Sequence, residues 1–216
     1  PRLVVGLPST LTAWTGMDAL AHCLESYLAP GYHPMADGIA LEGMKLIKEW
    51  LPKAVADGRD LEARAHMMSA ATMGATAFQK GLGAIHSLSH PVGSYYDTHH
   101  GLTNAVVMPY VLVFNRSSID ERLTALSRLL GLANPCFGSF LDWVLELREA
   151  IGIPHTLDAL GVKATDIPAL SEAAAVDPTA ATNPISVTPT DLAGLYASAL
   201  NGDLTSAPGD GIPSGG

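Results

Sequence analysis

Cysteine is nearly missing from this 216-residue sequence: Cys23 and Cys136 are the two present, with no CxxC spacing, and no secretory leader is expected. That excludes a disulfide-stapled secreted scaffold and a multi-cysteine zinc module. Both read as reduced core cysteines of a cytoplasmic protein, the alternative being one long-range disulfide. Charge is scarce too, at 15% of residues, and it leans negative, with 12 Lys and Arg against 21 Asp and Glu. Without a basic tract to offset a net charge of −9, nucleic acid and anionic lipid surfaces are repelled rather than gathered. Long apolar runs are also lacking. The longest, "AVVMPYVLVF" at 105–114, contains a proline and falls far short of the ~20 residues that span a bilayer, so no membrane segment is expected. No repeat and no internal linker is found.

What is present is 48% hydrophobic and rich in Ala, Leu, Met and Gly, a composition that favours buried helices. "PRLVVGLPST" reads as an extended lead-in, after which Thr12 or Thr15 caps a helix through "GMDALAHCLESYLA"; "PGYHP" ends it. In "MADGIALEGMKLIKEWLPKAVA" the residues Leu41, Met44, Ile47, Trp50 and Leu51 recur at helical steps, with Pro52 bending the last turns. A third helix, "DLEARAHMMSAATMGATAF", is so rich in small residues that a central position with close neighbours is expected. Further helices are read at "IDERLTALSRLLGL", "FGSFLDWVLELREAIG" and "TPTDLAGLYASAL", the last with a threonine cap and Asp191 in its first turn. By local propensity alone "AVVMPYVLVF" stays open between strand and helix. Residues 1–204 are read as one helical domain and 205–216, "TSAPGDGIPSGG", as a disordered tail or a remnant of expression.

Four of the eight histidines crowd into "GLGAIHSLSHPVGSYYDTHHG", residues 81–101. His86 and His90 are spaced i, i+4, so on a helix they share a face; "DALAH" gives Asp18 and His22 the same spacing, and "THHG" adds His99 and His100. One carboxylate and several imidazoles on three short segments suit Fe(II) or Zn(II) better than the oxygen-seeking Mg or Ca. The competing reading is that single histidines in apolar helices are hydrogen-bonded core or surface residues, and His33, His66 and His155 are assigned to that class. "GLGAIH" begins like a dinucleotide fingerprint, but His86 stands where the third glycine belongs; Gly81 and Gly83 read instead as close helix packing. No HExxH, GxSxG, Walker A or di-iron Glu-x-x-His pattern occurs.

Taken together, "PSTLTAWTGMDALAHCLESY", "GLGAIHSLSHPVGSYYDTHHGLTNAVVMPYVLVFN" and "ATNPISVTPTDLAGLYASAL" resemble the iron-containing (group III) alcohol dehydrogenases over residues 1 to about 204. The resemblance implies an all-α fold, the multi-helix C-terminal domain of the dehydroquinate-synthase-like fold, and makes "AVVMPYVLVF" helical. It implies metal ligands at Asp18, His22, His86 and His100, with His90 a non-ligand beside nicotinamide and substrate. His99 becomes a bystander where many relatives have proline. Phe78 lies against the substrate pocket or, equally, is ordinary core. The implied cofactors are Fe(II), with Zn(II) as the alternative, and NAD or NADP; the implied partners are a small alcohol or aldehyde and further copies in a homo-oligomer. Nothing here resembles the family's N-terminal α/β nucleotide-binding domain with its "GGGS"-type loop, so the chain is expected to be half an enzyme, a natural, proteolysed or engineered fragment. A zinc-dependent polyol dehydrogenase, a hydroxyacid–oxoacid transhydrogenase, and a non-catalytic helical metal-binding or oligomerisation module are the alternatives.

Overall fold

A computed structural model describes residues 1–205, and among them there are eight α-helices and several short 3-10 turns but no strand. From residue 206 onward, the expected tail lies outside the described residues. The all-helical expectation holds, including for "AVVMPYVLVF": it lies inside α5 (His100–Leu129), and Ala105 to Leu112 are all buried. With other helices around it and no strand to pair with, only a helix satisfies the backbone polar groups of that segment internally. The segment "IDERLTALSRLLGL" is not a separate helix, since α5 runs through it to Leu129.

α1 (Ser9–Leu28) is the second buried rod. It packs against α2 (Pro34–Ala56), α3 (Leu61–Ala77) and α5, with Met17, Leu20 and Leu24 fully inside. Three local expectations give way here. The lead-in forms a 3-10 turn at Arg2–Val4 rather than an extended segment, and α1 starts at Ser9 behind Pro8. Thr12 and Thr15 cap nothing; as in-helix threonines, they donate their hydroxyls back to the Pro8 and Leu11 carbonyls at 3.0 and 2.8 Å. α3 is peripheral and presents one face inward, although the close approach expected of it is real: a Cβ on Gly74 would lie 3.0 Å from His22 Cβ. α3 also supplies a buried guanidinium, Arg64, which donates to the Leu7 and Gly58 carbonyls and to Thr12 Oγ1, tying the lead-in to the bundle.

The remaining helices are α4 (Ala84–Tyr96), α6 (Phe137–Ala150), α7 (Ile167–Ala175) and α8 (Pro189–Asn201). α7 was not anticipated. Thr188 caps α8 with Asp191 as its reciprocal partner, as expected. Both cysteines are free. Cys23 is buried, its thiol pushed up to about 12 by desolvation, whereas Cys136 is exposed and caps α6, so it is not the core residue expected from sequence. No helix among the described residues is long and apolar enough to cross a membrane.

Candidate metal centre

Three helix segments converge on one point. α1 contributes Asp18 and His22 from one face, α4 contributes His86 and His90, and the first two turns of α5 contribute His100 and Asn104. The ligand-type atoms of Asp18, His86 and His100 all lie within 4.8 Å of one another. His22 stands outside this tightest set: its Nδ1 faces Asp18 Oδ2 at 3.6 Å, and its ring packs 4.7 Å from that of His86. His90 stacks on His100, with centroids 5.2 Å apart and planes 17° apart. The His86 side chain is only 2% exposed, while those of His90 and His100 are 43% and 40% exposed, so the cluster is closed behind and open on one side.

Two glycines make the convergence sterically feasible. A Cβ on Gly101 would lie 2.3 Å from the Trp14 carbonyl oxygen and 2.9 Å from Asp18 Cβ. Its role is therefore close approach of α5 to α1, rather than flexibility beside His100. A Cβ on Gly83 would lie 2.8 Å from Asn183 Oδ1 and 2.9 Å from Glu25 Oε1, which bears out the packing role read for it.

The charge states suit a cation. Burial pushes His100 down to about 4, the nearby Asp18 opposing it and the neighbouring imidazoles adding to it. His22 is lowered by the same desolvation, again opposed by Asp18. Neutral imidazoles offer lone pairs at physiological pH. Asn104 Nδ2 lies at the focus, 2.8 Å from Asp18 Oδ1, 3.0 Å from His100 Nε2 and 3.3 Å from His86 Nε2, while its Oδ1 is buried without a partner. An amide nitrogen has two hydrogens for these three neighbours, so the cluster holds more potential lone pairs than Asn104 can engage. One carboxylate and neighbouring imidazoles with lone pairs to spare fit a divalent transition metal.

Sequence reasoning gave no role to Glu25, Asn104 or Asp177. Glu25 Oε2 lies 2.6 Å from His86 Nδ1, and Asp177 Oδ2 lies 2.8 Å from His90 Nδ1. The Asp177 carboxyl sits below its ordinary value: burial pushes it up, but hydrogen bonds from Thr179 and His90 outweigh that. Helical spacing carried a signal for two of the three, since Glu25 follows His22 by three and Asn104 follows His100 by four. Asp177 is 87 residues from His90 and has no local signature. Phe78 is half-buried with its ring 5.4 Å from that of His22. His99 turns away to pack 5.1 Å from Trp14. His33 caps α2, and His66 stacks on Trp50.

Comparison with known proteins places this architecture. The model of the Fe-containing alcohol dehydrogenase family, C-terminal region, matches residues 12–200. The chain is 44% identical over 193 residues to a 4-hydroxybutyrate dehydrogenase of Cupriavidus necator, covering 85% of this chain and 50% of that protein. It is 42% identical over 207 residues to an NAD-dependent methanol dehydrogenase of Bacillus methanolicus, covering 93% and 54%. Among solved structures, a 1,3-propanediol oxidoreductase superposes with a TM-score of 0.89 at 35% identity, covering 93% of this chain and 54% of that one. The chain thus spans about half the length of the curated relatives it matches.

Proposed function

Because the chain belongs to the iron-containing alcohol dehydrogenase family, in its C-terminal region, we propose that it is the metal-binding part of an enzyme exchanging hydride between a small alcohol or aldehyde and NAD(P). The observation that carries this reading is the three-way convergence of Asp18, His86 and His100 on one point beside an open face. Asp18, His86 and His100 would hold the ion, with His22 joining from the same face of α1; when bound, Fe(II) or Zn(II) supplies Lewis acidity toward the substrate oxygen. These donors alone do not choose between iron and zinc.

The chain's own residues do the remaining work. His90, on the open rim, exchanges the hydroxyl proton with solvent, and Asp177 fixes its ring by engaging Nδ1, which leaves Nε2 as the nitrogen for proton exchange. Phe78 presents an apolar wall beside His22 for the carbon chain of the substrate. A protein containing this chain together with a nucleotide-binding domain is expected to reduce NAD(P)+ with short alcohols and to contain about one divalent metal per chain, read by anaerobic elemental analysis. Metal-free protein with full activity would overturn the proposal. In that same protein Asp177→Asn is expected to keep its metal and lower kcat about tenfold or more, because an amide can hold the wrong tautomer of His90. Loss of metal in Asp177→Asn would show that the residue acts on the ion site instead.

A further inference from the structure

Glu25 is the only buried carboxylate among the described residues. It is 5% exposed, and an ionised carboxylate at such depth is costly unless it is paired and hydrogen-bonded. Among the described residues, no lysine or arginine ion pair accompanies its contact with His86. Its two oxygens divide their work. Oε1 accepts the backbone N–H of Ile85 at 2.7 Å, in the first turn of α4, where a negative charge is favoured by the helix dipole and satisfies a donor that has no partner within the helix. Oε2 lies 2.6 Å from Nδ1 of the next residue, His86. Backbone and ring of consecutive residues are thus gripped by one rigid group.

That grip has a chemical consequence. A carboxylate accepts and does not donate, so Nδ1 of His86 carries a hydrogen, and a ring that holds one hydrogen has its lone pair on Nε2. Nε2 is the atom facing Asn104 and the cluster formed with Asp18 and His100. The opposite tautomer would turn an N–H toward the ion position. α4 lacks a side-chain cap of its own, and its start is held by Glu25 together with Asn183, which accepts the Ala84 N–H at 3.0 Å. Gly83 leaves the room this needs.

We propose that Glu25 is the positioning residue of the metal centre: by holding the Ile85 N–H and the His86 Nδ1–H together, it delivers the His86 Nε2 lone pair to the ion. The inference rests on the metal-centre reading above. Glu25→Gln keeps the shape of the side chain but replaces one acceptor with an NH2 group, so it cannot accept both hydrogens through separate oxygens. Asn183→Ala removes the neighbouring cap and leaves the His86 ring untouched.

The test is titration of the purified chain with Co2+ at fixed pH against a chelator, with the visible absorption of the bound ion recorded. Glu25→Gln is expected to bind Co2+ about 10- to 100-fold more weakly, the usual consequence of losing the carboxylate behind a liganding imidazole, and to show an altered spectrum. Asn183→Ala is expected to melt earlier yet bind within about threefold of wild type. Equal weakening in both variants would reduce Glu25 to a helix cap and overturn the inference, as would unchanged affinity in Glu25→Gln. Wild-type protein that takes up no Co2+ would end the metal-centre reading and this inference with it. Nitrogen NMR of wild-type His86 provides a check that needs no variant to fold: the expected state is Nδ1–H with Nε2 unprotonated, and the reverse tautomer overturns the inference.

Discussion

His86→Ala is expected to abolish stoichiometric metal binding, whereas His90→Ala keeps the metal and loses turnover. His86 is the buried member of the cluster, braced from behind by Glu25, so its removal takes away a donor held in place by a second side chain behind it. It also leaves the Glu25 carboxylate without its ring partner at 5% exposure, a defect of the kind that costs about 3–5 kcal/mol when one partner of a buried pair is removed. His90 is half-exposed and directed at Asp177, and its loss opens a hole at the rim without touching the ion. In a protein that includes the nucleotide-binding half, His90→Ala is expected to lower kcat on the order of a hundredfold, the scale of one missing proton-transfer group. Elemental analysis of both variants, paired with steady-state rates, decides the matter: equal metal loss in the two would show that these imidazoles do not have separate roles.

Gly101→Ala is the second large effect, and it acts without altering any donor. The added methyl would sit 2.3 Å from the Trp14 carbonyl oxygen and 2.9 Å from Asp18 Cβ, distances that force the start of α5 away from α1. A shift of roughly 1 Å at a preorganised centre is enough to cost about two orders of magnitude in function, and crowding of this sort destabilises a packed interior by about 1–3 kcal/mol. The variant is therefore expected to unfold at lower temperature and to bind Co2+ far more weakly than wild type, although Asp18, His86 and His100 are all retained. Gly6→Ala, where a Cβ meets no atom within 4 Å, is the control and is expected to bind metal normally. Normal metal binding in Gly101→Ala would show that α5 can pivot about its first turn, and that close backbone approach is not what sets the geometry of the centre.

These expectations separate what local pattern reveals from what it hides. Asp18 and His22 were legible because an i, i+4 spacing on a helix places two side chains on one face whatever the rest of the fold does. The same was true of His86 with His90, and of the Thr188 cap with Asp191. Thr12 and Thr15 misled because a threonine early in a helical pattern reads the same whether it caps or bonds back to the preceding turn. Pro8, which stands just before the first helical residue, was the better marker. α3 was placed centrally on composition, but Ala, Met and Gly allow close packing without saying how many sides will be packed.

The sequence by itself determined most of the helices, the low overall content of charge, and which residues offer side chains of metal-ligating type, because these follow from periodicity and composition. Tertiary structure alone decided that Asp18, His86 and His100 meet while His99 turns toward Trp14. It also decided that Glu25 stands behind His86, and Asp177, from far along the chain, behind His90. The physical reason is range: helical spacing fixes neighbours within one or two turns, whereas the meeting of α1, α4 and α5 depends on close approach between distant segments, α5 against the α1 backbone at Gly101 and the start of α4 against the Glu25 and Asn183 side chains at Gly83.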